Sequence, residues 1–407
     1  MYRSYINKII IIVFHSLFML VLTYVLINFP YLTEEENDFL EKVVVLNTKY
    51  LIGEHQDKED EVIFINTGYD RMLTDKFTTI ETETGKIKLK EGNIDITDRK
   101  KLYDFFKILN KKNLHKYLIV DIGFYKDYVT KYDSVLLNEM LRTKKMILAL
   151  PSNENDINPL FRDNFETGKV NYPKNLLSNH FSKFVFLRRN NKKSLPLKLY
   201  EQIDNKKIEK KLGLFYYSNG QLCYNSGIIN INYRVSESYR NHKTGKNNYY
   251  NLGTDLLVDS INAKYNPTYL TESLVKDKVV ILGDLTTSDI HETFWEKISG
   301  PEILYNSYLY LKKGEHIVNK WMYFILFWLY LILNYSIVFN KKLLHFKSKN
   351  MFAKIFSHHL FSTSVFFLLL TIIFYYLYGI YISILSLILY VSIFRLVINY
   401  KFYRNEN

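Results

Sequence analysis

The stretch Tyr117–Leu150, YLIVDIGFYKDYVTKYDSVLLNEMLRTKKMILAL, carries two apolar runs with an amphipathic segment between them. YLIVDI and KMILAL are short, nearly continuous apolar runs, the pattern of strands covered on both faces. Between them Leu137, Met140 and Leu141 recur at helical spacing. Strand, helix, strand is the order a parallel sheet requires, because parallel neighbours need a crossover. Working outward, EVIFIN (Glu61–Asn66) and KVVIL (Lys278–Leu282) repeat the strand pattern. Ahead of YLIVDI, Thr97 or Asp98 can cap a helix whose Leu102, Phe105, Phe106 and Leu109 fall at i, i+3, i+4 and i+7. After KVVIL, Pro301 suits the first turn of a helix with Leu304, Tyr308 and Leu311 on one face and Gly314 as its stop. The expected fold is an α/β domain with a mainly parallel sheet. Residues 152–210, rich in Asn and Lys, read as a surface elaboration, and GLFYYS and GIININYR (from Gly213 and Gly227) as an antiparallel edge pair.

With 407 residues, 48% hydrophobic and 16% aromatic, the chain can bury a core and is not mainly disordered. Of its net charge of +13, residues 1–30 and 321–407 carry +9, which leaves +4 across 31–320. So diluted a charge is no phosphate-binding surface, and no nucleic-acid partner is expected. The single cysteine, Cys223, excludes an intrachain disulfide and any multi-cysteine metal site, and reads as a small buried hydrophobe.

The charged ends flank apolar runs. Ile9–Phe29 holds 21 residues without a formal charge, enough at about 1.5 Å each to cross a hydrocarbon core of about 30 Å. It runs into Asn28, Phe29, Pro30 and Tyr31 without a small-residue cleavage site, so it reads as an uncleaved anchor. Trp321–Phe339 makes a second span. Leu360–Val397, 38 residues broken by Gly379, fits two helices with a tight turn. Four transmembrane helices are therefore expected. Short loops rich in Lys and Arg stay cytoplasmic. Arg3 and Lys8, the five lysines between spans two and three, and Arg395, Lys401 and Arg404 place both termini inside and 31–320 outside, against Lys312, Lys313 and Lys320. The expected division is a cytoplasmic stub with helix one (1–30), an extracytoplasmic domain (31–320) and three helices with a basic loop and tail (321–407). The expected location is a bacterial cytoplasmic membrane.

A strand ending in Gly-Asp, then Asp-x-His-x-Thr, then a small-residue turn and a helix with an Asn in its first turns, then three spans, resembles the CHASE2 family of bacterial extracytoplasmic sensor domains. The residues are VKDKVVILGD (Val275–Asp284), Asp289, His291, Thr293 and ISGPEILYNSYLYLKKGE with Asn306. FINTGYDRML after the first strand, GNIDITDRKKLYDFFKIL as the first helix and YLIVDIGF with Asp121 also fit, so the resemblance covers most of 40–400. It implies an extracytoplasmic sensor with one span before the domain and three after. Two features depart from the family: Phe294 stands where Pro is usual after the Thr, and only about ten residues follow the last span, too few for an output enzyme.

Asp121 and Asp284 fall at the carboxyl ends of expected parallel strands, where open α/β sheets form their ligand crevice, with Asp289 and His291 in the loop beyond. A small polar ligand or a cation would suit them. Alternatively these carboxylates cap loops and helix ends, and Asn306 bonds the Asp289 loop. An Asp-x-His pair is a weak metal signal, and no nucleophile elbow, phosphate loop or zinc-protease motif occurs, so neither enzyme activity nor a cofactor or resident metal is expected. Within the spans, His15, Asn334, Ser364 and Ser392 fall at a similar depth, and His15 is expected to meet Asn334 between spans one and two. The expected function is a membrane receptor signalling through a partner in trans. Its partners would be membrane lipids, a small molecule or envelope protein outside, a cytoplasmic or membrane partner met by Lys341, Lys342, Lys347 and Lys349, and a second copy in a homo-oligomer. The alternatives are an envelope scaffold and, more remotely, an extracytoplasmic metal-dependent enzyme.

Overall fold

The computed structural model describes residues 2–28, 61–82, 85–151, 153–170, 181, 183–188, 191–228, 248–257, 274–292, 297–341 and 359–403. In chain order its strands are β1 (Val62–Asn66), β2 (Arg71–Thr82), β3 (Gly85–Thr97), β4 (Tyr117–Asp121), β5 (Met146–Leu150), β6 (Thr167–Lys169), β7 (Lys183–Val185), β8 (Ile208–Lys211), β9 (Phe215–Ser218), β10 (Gln221–Cys223), β11 (Ser226–Ile228), β12 (Tyr249–Asn251), β13 (Val279–Gly283), β14 (Ile290–Glu292) and β15 (Lys297–Ser299). The helices are α1 (Tyr2–Asn28), α2 (Arg99–Leu109), α3 (Asp133–Arg142), α4 (Pro159–Arg162), α5 (Leu195–Asp204), α6 (Gly300–Lys312), α7 (Lys320–Val338), α8 (His359–Tyr378) and α9 (Ile384–Tyr403).

The four strands read from their apolar runs lie in one six-stranded sheet, ordered β12-β1-β13-β4-β5-β6 and parallel throughout. Both faces are covered, which is why the runs do not alternate. Val62, Phe64, Ile119, Val279 and Ile281 face a core shared with α5 and α6. Ile63, Ile65, Leu118, Val120, Val280 and Leu282 face a second core with α2 and α3. Asp98 caps α2, its carboxylate accepting the N–H groups of Lys100 and Lys101 at 2.9 and 3.1 Å. Leu102, Phe105, Phe106 and Leu109 form the buried face, as their spacing requires. In α3 the face is turned by one position: Leu136 and Met140 are buried, Leu137 is partly buried and Leu141 is exposed.

Three expectations are corrected. GNIDIT is not helical; it ends β3, which pairs with β2 in a long two-stranded ribbon bulged at Lys76/Phe77. Residues 152–210 are more than a surface region, because they supply β6 and the core helix α5, with Leu195, Leu197, Leu199 and Tyr200 buried. FYYS and the strand from Ser226 do not pair with each other. Asn219 and Gly220, both at positive φ, turn β9 back onto β10, and β11 pairs with β7. Cys223 is fully buried, as a small hydrophobe should be.

Among the described residues three helical segments are long and apolar enough to cross a membrane: Tyr5–Asn28, Lys320–Val338 and Ile384–Phe402. The fourth expected span falls short. Within α8 the apolar stretch is Ser362–Tyr378, about 25 Å at 1.5 Å per residue, closed by Gly379 at a φ of 63°. Helices α1 and α7 run antiparallel: the rings of Tyr5 and Phe339 lie 5.8 Å apart at one end, and Thr23 bonds the Tyr330 hydroxyl at 2.8 Å towards the other.

Candidate functional site

Strand β13 is inserted between β1 and β4, so three carboxyl ends that are distant in sequence meet at the point where strand order reverses. The polar residues there divide into a saturated half and an open half.

Asp284, one residue past β13, is the centre of the first. Its Oδ1 accepts the N–H groups of Thr286 and Thr287 at 3.0 and 2.9 Å. Its Oδ2 accepts the Ser288 N–H at 2.9 Å and hydroxyl at 2.6 Å, the Thr287 hydroxyl, and Arg71 Nη2 at 2.7 Å. Burial pushes this carboxyl up, but the bonds from Ser288, Thr287 and Thr286 together outweigh burial and hold it well below the usual carboxylate range. Arg71 also donates to the Gly68 carbonyl at 3.1 Å, and Asn66 Oδ1 accepts Gly68 and Leu285 N–H groups at 2.9 and 3.0 Å. A Cβ on Gly68 would come 2.5 Å from Asp284 Oδ1, so only glycine lets the β1 loop pass there. Asp284 therefore clamps the β13 loop to the base of the β2–β3 ribbon, with its lone pairs occupied by the chain itself.

The second half is open. Asp121 ends β4 beside Gly283, where a Cβ would come 2.7 Å from Pro301 Cγ and 3.2 Å from Asp121 Cβ. That close approach puts Asp121 at the start of α6. Among the described residues no donor bonds its carboxylate, and burial together with the charge of Asp289 pushes it well above the usual range. Asp289 accepts from His291 Nε2 at 2.9 Å, and its carboxylate lies against Gly300, where a Cβ would collide with it. The helix start is secured separately. Ser299 and Glu302 form a capping box, and the Tyr249 hydroxyl donates to Glu302 Oε1 at 2.6 Å.

Asp121, Asp284, Asp289 and His291 are thus brought to one end of the sheet. Asn306 is buried a turn and a half into α6, where its amide donates to the Glu302 carbonyl at 2.9 Å, while the Asp289 loop grips the helix through its backbone, Gly300 N–H to Asp289 C=O at 2.8 Å. Thr293, Lys342, Lys347 and Lys349 lie outside the described residues. Among the described residues no three His, Cys, Asp or Glu side chains converge as metal ligands. Arg71 and Asn66 carry no catalytic or binding motif in the sequence, and their one signal is that an apolar strand run turns abruptly polar there, Asn66-Thr-Gly-Tyr-Asp-Arg71.

In the helix bundle the expected His15–Asn334 contact is absent. Asn334 instead donates to Ser16 Oγ at 2.9 Å, and His15 bonds the Tyr390 hydroxyl of α9. The depth was right and the face was wrong: adjacent residues point about 100° apart around a helix. Ser392 bonds back to Ile388 of its own helix at 2.7 Å, and Ser364 is half-buried on α8.

One segment of the domain, Leu222–Ser226, bonds to both helices, and Lys183 of β7 adds to its hold on the first. At the end of α1 the Ile27 carbonyl accepts the buried Lys183 ammonium at 2.7 Å and the Ser226 hydroxyl at 3.0 Å, and Asn28 Oδ1 accepts the Asn225 N–H at 2.6 Å. A cation on the last carbonyls complements the negative helix end. Two residues away, Tyr224 N–H donates to His316 C=O at 2.7 Å and Val318 N–H to Leu222 C=O at 2.9 Å, on the lead-in to α7. Compared with known proteins, the chain matches no family model, no curated protein and no solved structure.

Proposed function

We propose that this chain is a multi-pass membrane receptor, with an α/β domain of CHASE2-like organisation outside the cytoplasm and α8 as a fourth, short span. The open half of the crevice, Asp121 with Asp289 and His291, is where a small polar or cationic ligand would be read. The signal would pass to a partner in trans through the basic loop after Lys341. The observation that carries this reading is the single segment Leu222–Ser226 bonded to the end of α1 and to the lead-in of α7, because a shift of the domain then moves both helices together.

Tyr5 and Phe339, at the far end of the same two helices, supply the readout. With cysteines at both positions in membranes, Asp121→Asn and Lys183→Ala should each change the rate of oxidative crosslinking at least two-fold. Burial pushes the native Cys223 thiol up to about 12, which keeps it out of the reaction. Unchanged rates in both variants would remove the receptor reading.

A second reading, an envelope scaffold, is favoured by the β2–β3 ribbon. Ile87 and Leu89 are 47% and 50% exposed on one face of β3, and β3 pairs only with β2 among the described residues, a surface suited to another protein. Deleting the ribbon tip should then abolish co-purification of an envelope partner while leaving the crosslinking rate intact.

A further inference from the structure

The sheet β8–β9–β10 lies between two cores. Ile208, Cys223 and Tyr216 pack into the α/β core, whereas Phe215, Leu222 and Tyr224 pack against the cluster built by α1, α7, α8 and α9. Because side chains alternate across a strand, one face of this small sheet belongs to the domain and the other to the helix bundle. Register adds Tyr217, opposite Leu222, and Lys211, opposite Phe215, to the bundle-side face.

Tyr24 fixes its level. The hydroxyl donates to the Cys223 carbonyl and accepts the Tyr216 N–H, both at 2.9 Å, and the ring stacks on Phe215 with centroids 5.4 Å apart. Tyr24 is four residues short of the end of α1, about 6 Å along its axis. On the other side Leu222 bonds Val318, just before α7, whose first turn exposes Trp321 as interfacial aromatics do. The sheet therefore sits at the mouth of the bundle, level with the helix ends.

The turn joining β8 to β9 is Leu212-Gly213-Leu214. Leu212 is 90% exposed and Leu214 53%, and Leu212 holds a φ of 50°. That left-handed position is one Asn or Asp fills readily and a leucine strains to adopt. Two exposed leucines, one in a strained conformation, gain nothing from the folded chain itself. Lys210 and Lys211 lead into the turn, lying over the rings of Tyr216 and Tyr217 at 5.7 and 5.2 Å.

We propose that the turn at the end of this sheet is a membrane-interface anchor, with Leu212 and Leu214 entering the headgroup–acyl boundary beside α1 and the two lysines that precede it, Lys211 on the bundle-side face and Lys210 on the other, reaching anionic lipid headgroups. Leucines within a basic, aromatic surface are the composition of elements that lie in an interface. The anchor rests on the reading that α1 and α7 span a bilayer, and it would hold the domain at a fixed height over the helices that the bundle-side face of the sheet touches.

The test uses the full chain in vesicles containing nitroxide-labelled lipids, with a small fluorophore on Leu214→Cys or, separately, on Phe18→Cys, a lipid-exposed position midway along α1. In vesicles with anionic lipid, the Leu214 label should be quenched at least two-fold by shallow nitroxides and little by deep ones, while the Phe18 label shows the reverse. In wholly zwitterionic vesicles, or with Lys210→Gln and Lys211→Gln, the Leu214 quenching should fall by half or more. A Leu214 label left unquenched while the Phe18 label is quenched overturns the anchor and leaves the spans standing. Absence of quenching at both positions overturns the spans and the anchor together. Equal quenching at Leu214 in the two vesicle types and in the lysine variants overturns the headgroup contact.

Discussion

Asp121 and Asp284 end neighbouring strands, yet their surroundings drive their protons in opposite directions. Asp284 has six bonds to its carboxylate and is held low, so its stabilisation is present above the ordinary carboxylate value of about 3.9 and fades as pH falls towards the depressed folded value. Asp284→Ala should cost about 3 kcal/mol at pH 7, read by chemical denaturation of the solubilised protein, because the donors it leaves behind lose a charged acceptor. Asp121 has the opposite sign. Its folded value is raised, so the favourable state is the protonated one, and stability is lost as pH rises from the unfolded value towards the folded one. Asp121→Asn should therefore melt higher than the wild type at pH 7 and equally at pH 3; equal melting at both would show that the site does not strain its carboxylate. The sequence placed both residues at strand ends but could not tell them apart. The difference lies in Arg71, 213 positions from Asp284, and in the hydroxyls and N–H groups that the Thr286–Ser288 turn aims inward.

At the scale of elements, local patterns were legible where burial is symmetric and misleading where one side is wet. The four central strands were readable because both faces are covered, and α2 because its cap and its apolar stripe agree. The β2–β3 ribbon was hidden because it buries little, so its alternation of Lys with Ile and Leu carries no strong apolar signal. The β9–β10 hairpin had a signal, Asn219-Gly220, outweighed by the apolar run that follows. The grip on α1 had none, since Lys183 is one lysine among many until the fold brings it to Ile27, 156 positions away. Lys183→Ala should cost about 1–2 kcal/mol in thermal or chemical melts, and Lys183→Met, which keeps the apolar stem, nearly as much, because the lost term is the charged bond at the helix end. A loss confined to the Ala variant would assign the effect to packing instead.

For the whole molecule, the lysine bias predicts that a membrane-impermeant thiol reagent labels Lys192→Cys in intact spheroplasts and Lys401→Cys only after lysis; both positions are exposed. Labelling of position 401 in intact cells would invert the arrangement. The α/β class, the central strands and the long apolar helices are legible without the structure, because they follow from the period and length of apolar runs, which are local quantities. Tertiary structure alone decided that β13 enters between β1 and β4, that Ser16 rather than His15 meets Asn334, and that Leu222–Ser226 holds two helices at once. Each of these joins residues separated by tens to hundreds of positions, and each turns on one side chain's direction. A one-residue step reverses that direction on a strand and swings it by about 100° on a helix, so partners follow only from packing the whole chain.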